Sequence, residues 1–111
     1  MEINKDLLGK LFEQAVVKPR LRQNLDLRTS ANDNSQRMLN ALLPGTVVPI
    51  HRHPQSTEDV FLLCGKIVEV VYDNEGNETD RILLDPTAGS YGCVVPQGAW
   101  QIGRASCRER V

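Results

Sequence analysis

The chain holds only two histidines, and both fall in one short stretch, His51-Arg52-His53-Pro54, followed shortly by Glu58. Residues two apart on a strand leave the same face with Cα atoms about 7 Å from one another, so His51 and His53 can reach a single ion. Imidazole nitrogens bind transition metals at roughly 2.0–2.1 Å. Pro54 should end the first strand and Glu58 should open the next apolar run, DVFLLC, which would return the carboxylate beside the histidines across a hairpin. Two histidines and one carboxylate leave coordination positions open, as redox or Lewis-acid chemistry on a small molecule requires. On its own, an H-x-H pair also reads as solvent-facing or structural, and Glu58 as a surface carboxylate, so the surroundings must decide.

Those surroundings are mostly strands. Leu7, Leu8, Leu11, Phe12, Ala15 and Val16 recur with helical spacing after a capping Asn4 and before Pro19, which predicts one amphipathic helix at the start. RLRQNLDLRTSANDNSQR follows as a polar loop or edge segment. RMLNALL fits a helix by spacing, but its neighbours favour a strand. Beyond Gly45 the runs TVVPI, DVFLLC, KIVEVVYD, RILL and YGCVV are rich in β-branched and aromatic residues and are separated by turn formers. VVYDNEGNETDRILL predicts a hairpin whose loop carries Asn74, Gly76 and Asn77. Many short antiparallel strands with one outer helix imply an all-β sandwich or barrel.

At 111 residues, 41% hydrophobic and 24% charged, the chain has an ordinary globular composition and room for one modest domain. Glu2, Lys5, Asp6 and Lys10 interrupt the opening apolar residues, so no secretory signal is expected there, and no run is long enough to span a bilayer. The expected address is cytoplasmic. Cys64, Cys93 and Cys107 stand far apart, matching neither a zinc ribbon nor a disulfide framework, and Cys64 and Cys93 read as core thiols. A net charge of −1 without a basic cluster in the body of the chain excludes nucleic-acid binding.

The last ten residues, Ile102 to Val111 (IGRASCRERV), break from this pattern with three arginines and no apolar period. They match, residue for residue, the translation of a common short-read sequencing adapter, and are expected to be a non-native tail. Setting them aside removes Arg104, Arg108 and Arg110 against Glu109, which takes the net charge from −1 to −3. On that reading the Gln101 codon straddles the junction and keeps one native base, a base that the histidine codons share. The domain then runs over 1–101, with 102–111 as the tail.

Gly45, five residues, His51, one, His53, four, Glu58, six, Gly65 resembles the first motif of the cupin superfamily at each spacing. Pro96, one, Gly98, two, then position 101 resembles the core of the second cupin motif, where the family carries a histidine and this chain has Gln101. The glycine that the second motif sets before its proline is displaced here, with Gly89 and Gly92 flanking its place. PRLRQNLDL, QRMLNALLPGT, HRHP and PQGAW look like the WbuC-type cupin metalloproteins, a likeness that covers about Ile3 to Trp100. The resemblance implies a cupin jelly-roll (RmlC-like) antiparallel barrel, incomplete at its C-terminus. It further implies a divalent transition metal (Fe, Mn, Ni, Zn or Co) held by His51, His53, Glu58 and position 101, and a cytoplasmic bacterial protein of surface polysaccharide metabolism. No settled reaction comes with it.

Arg20, Arg22, Gln23, Asn24 and Arg37 could line the barrel mouth and bind a carboxylate or phosphate through planar guanidinium forks; as solvated loop residues they would do neither. Tyr91 is a candidate hydrogen-bond donor or a packed strand aromatic, and Trp100 is expected as a core anchor. Three functions stay open. They are a metalloenzyme acting on a small polar or sugar-derived substrate, a non-catalytic ligand-binding or sensory cupin, and a metal-free sugar epimerase. The expected partner is a small molecule, with no membrane and no nucleic acid; a homodimer remains open.

Overall fold

The computed structural model describes residues 1–46 and 50–105. Within them the chain is mostly antiparallel β-structure with one α-helix, and it divides into two compact units, Met1–Thr46 and Val47–Val111. The expected TVVPI strand and Cys107 fall largely or wholly outside the described residues. No helix among the described residues is long and apolar enough to cross a membrane.

In the first unit, α1 (Lys5–Val16) begins where the sequence predicts. Asn4 has extended backbone, and its side-chain oxygen accepts the Leu7 N–H at 2.9 Å, satisfying one of the donors that a helix start leaves unpaired. The helix buries Leu11 and Ala15. Against it lie β1 (Arg22–Asp26) and β2 (Met38–Leu42), paired antiparallel with Asn24 opposite Asn40. RMLNALL is thus a strand. Leu11, Ala15 and Ala41 form the core, with Phe12, Leu25, Leu39 and Leu43 packed around it. The polar segment contributes β1 and then turns, in which Asp33 accepts from the backbone N–H groups of Thr29 and Ser35.

The described residues of the second unit form six strands, β3 (His51–Arg52), β4 (Glu58–Phe61), β5 (Ile67–Tyr72), β6 (Glu78–Leu84), β7 (Gly92–Val95) and β8 (Trp100–Ala105). They form two sheets, one ordered β3-β8-β5-β6 and one β4-β7. The β5–β6 hairpin matches the sequence reading. Asp73 organises its turn by accepting from the N–H groups of Glu75 and Asn77. Strand β8 does not stop at Gln101; it runs to Ala105, which pairs with Ile67. Ladder bonds are made by backbone groups, so this central position needs no particular side chains, and Ile102 opposite Val70 suits it.

Candidate functional site

The two sheets of the second unit bring the sequence-singled residues together by a route the sequence does not announce. The expected β3–β4 hairpin does not form: β3 pairs with β8, placing His51 opposite Gln101, while β4 pairs with β7, placing Glu58 opposite Val95. Residues 53–57 therefore carry the chain from one sheet to the other. The physical reason lies in which groups take the carbonyls at the crossing. Gly98 donates its N–H to the His53 carbonyl at 2.9 Å, and the Gln97 amide donates to the Pro54 carbonyl at 3.0 Å. Gly98 holds φ +80°, a left-handed turn that favours glycine. The turn of the second motif is thereby tied to the turn of the first, and the tie fixes His53 beside β8.

His51 and His53 lie edge to face, ring centres 5.2 Å apart with an interplanar angle of 86°. His53 Nε2 is 3.0 Å from Glu58 Oε1. The same oxygen accepts a hydrogen bond from Gln101 Nε2 at 2.7 Å. One ligand atom each from His51, His53 and Glu58 lies within 4.8 Å of the others. Donors bound at about 2.0–2.2 Å to one tetrahedral or octahedral ion stand roughly 3–3.4 Å apart, so a contraction of an ångström or so converts the cluster into a ligand set. His53 and Glu58 keep more than a third of their side chains exposed, which leaves a way in, whereas Gln101 is 2% exposed and closes the inner side.

Sequence reasoning missed Glu69. On β5 it faces Gly103 of β8, and Val71 faces Gln101, so Glu69, Val71, Gln101 and His51 share one face of the sheet. Glu69 is 5% exposed. Burial, and then the charge of Glu58, push its carboxyl up to about 7. A signal existed in KIVEVVY, where one carboxylate sits in phase with Ile67 and Val71 in an otherwise apolar strand. Cys93, on β7 opposite Val60, has its thiol pushed up by burial and by Glu69 and Glu58.

The remaining candidates do not gather around this cluster within the second unit. Tyr91 is exposed, and its carbonyl accepts the Leu62 N–H. Half-buried Trp100 takes the Arg52 guanidinium over its ring at 4.8 Å, so it is a stacking partner for a strand neighbour and not a core anchor. Cys64 is exposed in the bend after β4, since the strand ends at Phe61, which corrects its reading as a core thiol. Arg20, Arg22, Asn24 and Arg37 belong to the first unit. Arg20 and Arg22 line a shallow hollow with Lys18 and Pro19, and Asn24 is exposed on β1. Arg37 is committed to its own loop, pairing with Asp33 at 2.8 Å.

No curated protein and no solved structure matches the chain. One family model does, over residues 3–84, a span that includes His51, His53, Glu58 and Glu69 but not Gln101. Its description names neither an activity nor a ligand. The match covers well over half of the sequence, and the chain belongs to the family described as Domain of unknown function (DUF6016).

Proposed function

We propose that the chain is a metal-binding cupin of the jelly-roll class, in which His51, His53 and Glu58 hold a divalent transition ion (Fe, Mn, Ni, Zn or Co) for work on a small polar or sugar-derived molecule. The observation that carries the reading is the convergence of these three ligand atoms within 4.8 Å on a partly open face. The cupin-like motif spacings, and a likeness to proteins of bacterial surface polysaccharide metabolism, support the substrate class. When bound, such an ion polarises an oxygen or activates water or dioxygen. The chain's own residues do the rest. The Gly98–His53 bond holds the turn that aims the second imidazole. Gln101 orients Glu58 through its amide N–H, and turning that amide over would present its oxygen instead. His51 and Glu58 both stand on paired strands, and His53 lies in the crossing between them.

A second reading, the metal-free sugar epimerase, is favoured by one detail: Glu58 Oε1 already has two nitrogen partners, from His53 and Gln101. The two separate by metal analysis of the purified chain beside His51→Ala and Glu58→Gln. About one equivalent of metal in the parent, with little in either variant, is the expected result. Equal and low metal in all three sinks the metal reading and leaves the second.

A further inference from the structure

Among the described residues of the second unit two carboxylates are buried, and one of them has partners. Asp85, 8% exposed, caps a short helical turn, accepts from the Thr87 N–H and hydroxyl, and lies 3.9 Å from the Lys66 ammonium. Its burial needs no further explanation. Glu69, 5% exposed, receives no hydrogen bond among the described residues, and the charge it feels most is the like charge of Glu58. Its oxygens keep a little solvent contact, since no fully buried side-chain oxygen among the described residues lacks a partner, but a carboxylate so nearly buried beside a like charge is still costly, and a β-strand would hold Val or Ile in its place more cheaply.

Its surroundings say what would make the placement favourable. Glu69 stands on the sheet face that carries Gln101 and His51, one row along from them. Its side chain lies over β8, where a Cβ on Gly103 would come 3.0 Å from Oε2. From the facing sheet Glu58 comes into the same space through its bond to Gln101. Glu69 thus shares a sheet face with His51 and Gln101, with Glu58 reaching toward that face and His53 on the partly exposed edge of the cluster.

We propose that Glu69 is a positioning residue of this site, a second carboxylate whose charge strengthens the hold of His51, His53 and Glu58 on a divalent cation. The proposal rests on the metal-binding reading. Glu69 does not join the ligand triad and makes no hydrogen bond to it; its charge acts on the ion through space, and neutralising it is expected to weaken binding by about tenfold.

The test is a Co²⁺ titration of the full chain by calorimetry and visible absorption, in the parent and in Glu69→Gln, Glu69→Asp and His51→Ala, with the melting temperature of each metal-free protein. Glu69→Gln should bind Co²⁺ about tenfold more weakly, because a through-space charge is lost, with an unchanged absorption band, because the ligands themselves remain. Glu69→Asp keeps the charge and should stay within about threefold of the parent. Metal-free Glu69→Gln should melt no lower than the parent. Parent-like affinity in Glu69→Gln, with binding lost in His51→Ala, overturns the inference alone. A Glu69→Gln protein that fails to fold also overturns it, since Glu69 would then be structural. If the parent binds Co²⁺ no better than His51→Ala, the metal reading falls and takes the inference with it.

Discussion

The first unit buries apolar residues alone among those described, whereas the second buries Val70, Val71, Leu84 and Val95 together with Glu69, Asp85 and Gln101. Between α1, β1 and β2 the interior is Leu11, Ala15 and Ala41 with leucines and Phe12 around them, and charged groups are settled outside by near neighbours, Arg28 with Asp26 and Arg37 with Asp33. In the second unit Glu69 and Gln101 are as deeply buried as Val71 and Val95, and Glu58 reaches in beside them. An apolar interior stabilises by excluding water. A polar one costs free energy unless its groups are partnered, so the proposed site and the polar interior fall in the same unit, while the first unit's interior has only packing to account for.

The comparison breaks most visibly at a core leucine. Leu11→Ala should cost about 2–5 kcal/mol in urea unfolding, by lost transfer and the cavity left behind. A cost below about 1 kcal/mol would mean that Leu11 does not anchor the first unit. The counterpart in the second unit is Glu69, and there the lever is pH. Its folded carboxyl titrates at about 7 against an ordinary 4.5, so the metal-free folded state holds a proton that the unfolded chain has released. The associated stability is fully present below about pH 4.5 and is lost as pH rises through about 7, a change of at most ~3 kcal/mol. Glu69→Gln should remove that slope. Half-buried Asp33, held down to about 2 by the Thr29 and Ser35 N–H groups and by Arg37, works in the opposite sense and in a lower window. The difference between parent and variant over pH 5–8 isolates Glu69; parallel curves would show that it is not buried in solution.

A smaller effect is expected at position 101. Gln101→His puts an imidazole where the cupin-like motif has one, opposite His51 and against Glu58. Co²⁺ affinity should rise by about tenfold, or ~1.4 kcal/mol, because a neutral imidazole is a better ligand than an amide. No gain would indicate that the site is built around the Gln101–Glu58 bond and not around an ion.

How much of this was legible depends on the range of the interaction. The Asn4 cap, the Leu7 to Val16 stripe and the loop from Asp73 to Asn77 are local patterns, and each element formed where its residues indicate. The types and spacing of His51, His53 and Glu58 were legible too. The partner of β3 was not. Strand β8 lies some fifty residues away, and nothing in HRHPQSTED states that its carbonyls will be taken by Gly98 and Gln97 rather than by β4. Glu69 escaped for a related reason: one polar residue in an apolar strand acquires meaning only when register shows which groups share its face. Cys64 illustrates the converse, as an apolar run outlasts the strand it contains by several residues.

The smallest test separates the two units at a residue far in sequence from every site group. Asn4→Ala removes the acceptor of the Leu7 N–H and should destabilise the protein by about 1 kcal/mol, the usual worth of such a cap. That loss is local to the start of α1, whose buried residues Leu11 and Ala15 contribute to a core containing none of His51, His53, Glu58 or Glu69. Co²⁺ affinity in Asn4→Ala should therefore equal the parent's at any temperature where both are folded. A parallel fall in stability and affinity would show that the helix start and the metal cluster respond together, and the division into scaffold and functional interior would have to be given up.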